Sequence, residues 1–158
     1  MRRDYFELDV ENIDWVENGG DPKKPLVRIA FHGPKDVLER RLSDPDGAYL
    51  DASETDVAFR LQDPLDEPGA AGVVSVTNRI TGDFVLELNE SADDVLTFIR
   101  AAREYGRDTA DSEDGRYRVE VSIDGENVVV YEKQTFLVYD ADGNLLRSHS
   151  LIPSGVEL

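Results

Sequence analysis

The chain contains no cysteine. Disulfides, thiolate zinc sites and cysteine nucleophiles are therefore excluded, and the redox compartment is left open. Histidine is nearly as scarce. His32 and His149 are the only two, so a histidine-based metal site would need both of them together with carboxylates. His32 ends an expected strand and His149 lies near the C-terminus, and both are expected to be ordinary surface or rim residues. Ser148-His149-Ser150 is no catalytic arrangement, because neighbours on a strand point to opposite faces. No run approaches 18 apolar residues, so no membrane-spanning helix is expected. Arg2-Arg3 invites a twin-arginine reading, but Asp4, Tyr5 and Phe6 follow and no apolar segment comes after them. Walker and G-x-G-x-x-G loops are missing. Gly19-Gly20 precedes Asp21-Pro22, with no helix to hold a phosphate. Basic residues do not interleave with aromatics as an RNA-binding sheet requires, which argues against nucleic acid as a partner.

Lysine is rare too, and its rarity interprets the charge. There are 34 acidic and 17 basic residues, a formal net charge of −17, and arginine outnumbers lysine thirteen to four. The acids are spread along the whole chain rather than gathered in a tail. This pattern favours a surface adapted to molar salt over a face built for a basic partner. At about 1 M salt the Debye length is about 3 Å, so the net charge would neither steer partners nor repel nucleic acid over distance. Carboxylate pairs occur everywhere, which keeps acid–base chemistry from being singled out. No catalytic, metal-ligating or cofactor-binding residue is assigned.

What is present is a run of strands around one strong helix. SADDVLTFIRAAREYG, 91–106, has Ser91 as N-cap and Asp94 in the place of a capping-box acid. Asp93 and Asp94 lie at the positive end of the helix dipole and Arg100, Arg103 and Arg107 toward the negative end. Gly106 is the expected stop. Val95, Phe98, Ile99, Ala102 and Tyr105, widened by Ala92 and Leu96, form an apolar face broad enough to pack on a sheet.

Before this helix, Tyr5–Val16 alternates with a phase shift at Glu11-Asn12, which predicts a hairpin or one bulged strand. Trp15 is expected as a core anchor. Leu26–Phe31 reads as a strand. A short helix follows Gly33-Pro34, with Val37, Leu38 and Leu42 inward. Thr55–Gln62 is a strand with Val57, Phe59 and Leu61 on one face. The stretch 63–72, DPLDEPGAAG, is expected as a surface loop within one domain spanning 1–158, with an interdomain linker as the alternative. Val73–Ile80 and Asp83–Leu88 form a hairpin around Thr81-Gly82.

After the helix, DTADSEDG, 108–115, is expected to be a mobile acidic loop. Tyr117–Ile123 pairs across an Asp124-Gly125 type I′ turn, with Val121 opposite Val128 and Val119 opposite Val130. Gln134–Tyr139 and Leu145–Ser148 are further strands. Asp140, Asp142 and Asn144 resemble the start of a calcium loop. However, the glycine is fourth rather than sixth and Leu151 stands at the twelfth position, so a hairpin turn explains them better. Asp36-Val37-Leu38 and Asp94-Val95-Leu96 echo each other too briefly to make a repeat. The apolar tail, with Leu151, Ile152, Val156 and Leu158, is expected to cover the chain's own core. Docking on a second copy is the alternative.

MRRDYFELDVENIDWVENGGDP, DDVLTFIRAAREYG and YDADGNLLRSHSLIPSGVEL together resemble a haloarchaeal family of unknown function. The resemblance covers essentially the full length and implies no activity and no site residues. The expected fold is α+β: a mainly antiparallel β-sheet system with two α-helices, the longer, 91–106, packed across a sheet. The leading functional expectation is a non-enzymatic cytoplasmic protein-interaction module. The alternative is a small enzyme or ligand-binding protein whose site is assembled from scattered Asp, Glu, His and Tyr.

Overall fold

Eight strands form two four-stranded sheets in the computed structural model, which describes residues 3–108 and 115–152. The first sheet holds β1 (Phe6–Glu11), β2 (Leu26–Phe31), β6 (Tyr117–Ile123) and β7 (Glu126–Lys133), in the order β1-β2-β6-β7. The second holds β5 (Phe84–Ser91), β4 (Ala71–Asn78), β3 (Thr55–Leu61) and β8 (Leu137–Tyr139), in the order β5-β4-β3-β8. Antiparallel pairing dominates. Each sheet also carries one parallel pair, β2 with β6 and β3 with β8. A parallel neighbour cannot be reached by a tight turn. The segment after residue 115 therefore returns to both sheets and ties them together.

Alternation decides which side chains face inward. Val57, Phe59 and Leu61 of β3, Val74 and Val76 of β4, and Val119 and Val121 of β6 are all buried, and both sheets contribute to one apolar cluster. Gly72 shows how tightly the second sheet packs. A Cβ there would lie 2.3 Å from the Arg60 carbonyl oxygen and 2.8 Å from the Phe59 ring, so no larger residue fits without displacing backbone.

The α+β class holds, with three α-helices among the described residues rather than two: α1 (Trp15–Asn18), α2 (Lys35–Arg41) and α3 (Ala92–Asp108). In α3 the Ser91 hydroxyl accepts the Asp94 N–H at 3.2 Å, so the expected N-cap is in place. Val95, Phe98, Ile99 and Ala102 are buried on the sheet system. Phe98 meets Tyr117 edge to face, with ring centroids 5.3 Å apart, and Phe136 at 6.1 Å. Burying Phe98 and Ile99 stabilises the fold by roughly 1.5–3 kcal/mol each.

Several boundaries differ from expectation, each for a physical reason. Residues 5–16 are neither a hairpin nor one bulged strand: β1 ends at Glu11, Asn12 turns with φ +66°, and α1 follows. Trp15 is only half-buried, its indole N–H donating to the Asn12 carbonyl, so it pins this turn instead of anchoring the core. Gly106 does not stop α3, which runs on to Asp108. A Cβ at Gly106 would lie 2.8 Å from Arg116 Nε, so the glycine makes room for a side chain. Val37 is half-buried while Leu38 and Leu42 are fully buried. The two D-V-L steps thus present different faces, since Val95 is buried and Leu96 is not.

The Asp124-Gly125 turn has positive φ at both residues, as type I′ requires. A bulge between Val121 and Ser122 then sets Val121 opposite Val129 and Val119 opposite Tyr131. That shift of one residue buries Val129 and Tyr131 and leaves Val130 exposed. Leu145–Ser148 is not a strand. Leu145 makes one bridge to Tyr139, and a 3-10 turn covers Arg147–His149. Of the stretch 63–72, residues 63–70 lie in the connection from β3 to its antiparallel neighbour β4, which already begins at Ala71, and the Ala71 N–H donates to Asp63 Oδ2. Leu151 is buried in the chain's own core, exchanging both backbone hydrogen bonds with Phe136. Val156 and Leu158 lie outside the described residues, as does most of the acidic stretch 108–115.

Candidate functional site

A cavity of about 310 Å³ opens between the two sheets beside α3. Its walls are apolar: Leu8, Val10, Val27 and Ile29 from one sheet, Val57, Val74 and Val76 from the other, Val95 and Phe98 from α3, and Val119 and Phe136. This volume is at the lower end of small-molecule pockets. Its polar lining is short: Asp9, Glu90, Asp94, Thr97 and Tyr117. The Tyr117 hydroxyl is already committed, donating to the Thr135 carbonyl at 2.6 Å, and burial holds its phenol well above the usual range.

Glu90 arrives there by simple alternation. Leu86 and Leu88 point inward along β5, and two residues further the same side holds Glu90. Its cross-strand partner is Gly72, which has no side chain to occupy the space. The strand then passes directly into α3, bringing Asp94 of the first helical turn beside Glu90. Glu90 Oε1 accepts the Ser91 N–H at 3.0 Å, while Ser91 accepts from Asp94, so the junction is tightly tied. Burial raises the Glu90 pKa above the usual carboxylate value; the Ser91 amide opposes this, and the adjoining Asp94 carboxyl reinforces it. Two acids thus stand side by side at the rim of an apolar space. The signal was legible in L-E-L-N-E, where a carboxylate takes the third position of an inward-facing alternation.

A second, more polar cavity of about 470 Å³ lies near Lys133, Arg79, Asp56 and Thr135. Lys133 is only 7% exposed, and its Nζ donates to the carbonyls of Ala52 and Thr55, both at 2.7 Å. Burial, aided by the Arg79 charge, lowers its pKa to about 8. Arg79 is held by Asp56 Oδ1 through both Nε (3.0 Å) and an Nη (2.6 Å). Every charge here has a partner within the chain, so this region reads as a tie between β7 and the start of β3.

The histidines line neither cavity. His32 is exposed beside Glu7, with Nε2 3.5 Å from its carboxylate, and His149 sits in the 3-10 turn after β8. Among the described residues no three His, Asp or Glu side chains gather as metal ligands would. Asp140 forms a turn, its Oδ1 accepting the N–H groups of Asp142 (3.0 Å) and Asn144 (2.9 Å). The Asn144 amide leads the contacts that hold its carboxyl below the usual range. Among the described residues no helix is long and apolar enough to cross a membrane.

Neither a curated protein nor a solved structure matches the chain. A family model does match, over residues 1–158, and the chain accordingly belongs to the family of unknown function designated DUF5793.

Proposed function

We propose that the protein is a non-enzymatic binding module whose inter-sheet cavity takes a small, mainly apolar molecule. The carrying observation is the cavity itself: about 310 Å³, walled by valines and Phe98, with few polar groups among its lining. Apolar walls supply affinity, and a few placed polar groups supply orientation. The test is titration with hexan-1-ol, a neutral amphiphile of suitable size, followed by ligand-observed NMR and thermal denaturation. Saturable binding that raises Tm, lost in Val74→Phe, is the expected result. Absence of saturable binding, or undiminished binding by that variant, would overturn the reading.

The solvent belongs to the same proposal. The net charge of −17 and the preference for arginine over lysine support a life in concentrated salt, in the cytoplasm of a halophilic archaeon. Stability should then fall on dilution, as self-repulsion is unscreened. A melting temperature unchanged between molar and millimolar KCl would count against salt adaptation.

A protein-docking role is the second reading. Ile80 and Phe84, 72% and 50% exposed at the β4–β5 turn, favour it. Affinity purification at native salt, comparing the wild type with an Ile80→Ser/Phe84→Ser variant, tests it. Identical recovered proteins would dismiss the patch.

A further inference from the structure

Two acids stand at the rim of the inter-sheet cavity, Glu90 from β5 and Asp94 from α3, while the Asp9 side chain of β1 alternates outward between the inward Leu8 and Val10. Among the described residues no basic group lines this cavity to answer them. Arg28 on β2 is taken by Glu11 and Glu120, and Arg3 by Glu87 and Asn89. Strand β4 brings only Val74 and Val76 to the cavity, and β6 brings Val119 and the protonated, committed Tyr117. Glu90 and Asp94 therefore face each other as like groups beside an apolar space.

We infer that the ligand is a lipophilic amine, with its apolar body against Val74, Val95 and Phe98 and its ammonium head at Glu90 and Asp94. This inference rests on the cavity being a ligand site. An ammonium offers three N–H donors and no acceptor, which suits two carboxylates whose oxygens are otherwise in mutual conflict. Charge-assisted hydrogen bonds are the strong ones. A neutral alcohol would leave the acid pair uncompensated, and a carboxylate ligand would add a third like charge. Short contacts in a partly enclosed rim are also less screened by salt than surface pairs. A bound cation favours the ionised carboxylate, so amine affinity should fall where Glu90 is protonated.

A matched series decides the matter: hexylammonium, hexan-1-ol and hexanoate, titrated into the full chain in molar KCl. Hexylammonium should bind about tenfold more tightly than hexan-1-ol. Glu90→Gln, which keeps the shape and removes the charge, should erase that preference. In the wild type, hexylammonium affinity should rise as pH climbs out of the acid range and Glu90 loses its proton, while hexan-1-ol affinity stays level. Equal binding of alcohol and ammonium by the wild type, a flat pH profile, or tighter binding of hexanoate would overturn the amine inference and leave the cavity reading standing. Failure of all three to bind would overturn both. The wild-type series decides alone if Glu90→Gln does not fold.

Discussion

Lys133 and Glu90 are both ionisable side chains at inward strand positions, and the fold treats them in opposite ways. Lys133 is enclosed, and two carbonyls receive its ammonium at 2.7 Å. Glu90 is only partly enclosed, accepts one amide and faces another acid across the rim of an apolar cavity. Size does not separate the two regions, since the cavity near Lys133 is the larger. Satisfaction separates them. A buried charge with its hydrogen bonds made holds elements together. A like-charged pair beside unfilled apolar walls is a local cost that a bound cation relieves. The first arrangement is complete without a ligand, and the second is not.

The largest expected effect breaks the comparison by removing one wall. Ile99 is 1% exposed on the buried face of α3. Ile99→Asp would place an unpaired carboxylate there, at several kcal/mol against a total stability of about 5–15 kcal/mol. Cooperative unfolding in urea should vanish. A near-wild-type melting curve would mean that α3 is not seated as described.

Next in size is the closed region. Lys133→Met keeps the apolar stem but leaves the Ala52 and Thr55 carbonyls unpaired, at about 1–3 kcal/mol each, so a loss of about 2–6 kcal/mol at neutral pH is expected. The pH dependence gives a sharper check. The folded pKa of about 8 lies below the ordinary lysine value of 10.5. Between these values the unfolded chain binds more protons, so wild-type stability should rise with pH through that window. After discounting for solvent screening, the gain relative to Lys133→Met should be about 2 kcal/mol. Tyr131, pushed up to about 12 chiefly by burial, works in the opposite direction above pH 10 but is common to both proteins. Parallel stability curves for the two would show that Lys133 is not desolvated.

The contrast between filled and unfilled packing comes third. Val138 is fully buried in β8 and lines neither cavity, whereas Val74 lines the inter-sheet cavity. Val138→Leu should cost about 1–3 kcal/mol by overpacking. Val74→Leu has space to enter and should stay within about 1 kcal/mol of wild type. Equal losses in urea denaturation would argue that the cavity closes in solution.

Much of this architecture was readable because its causes are local. The Ser91 cap is a bond over three residues, and the inward faces of β3 and β6 follow from strict alternation in Thr55–Leu61 and Tyr117–Ile123. Features with distant causes were not readable. Gly106 looked like a helix stop because Arg116, which needs its space, is brought there only by the fold. The parallel pairings of β2 with β6 and β3 with β8 join segments far apart in sequence, and no turn residue announces them. The bulge at Val121/Ser122 moves one residue and so exchanges Val130 for Val129 in the core. Glu90 lies between these cases. Its inward position follows from β5 alone, but its meaning needs Gly72 opposite and the other sheet's valines beyond.

The smallest expected effect tests the defining feature of the open region. Burial, with Asp94 adding to it, raises the folded pKa of Glu90 above the ordinary glutamate value of 4.5. A raised folded value contributes stability that is fully present below the unfolded pKa and is lost as pH rises through the folded one. Ionised Glu90 beside Asp94 should therefore weaken the fold near neutrality, while its protonated form should not. Gln mimics the protonated form. Glu90→Gln should match wild type near pH 4 and exceed it near pH 7 by less than about 1 kcal/mol, the range for partly exposed charges. The stability difference thus grows as pH rises above the carboxylate range, whereas the Lys133 difference changes only in the alkaline window. Molar salt should shrink the Glu90 effect without reversing it. A variant that tracks wild type at every pH would mean the two acids do not feel each other, and the open region would then have apolar space but no charge to select what fills it.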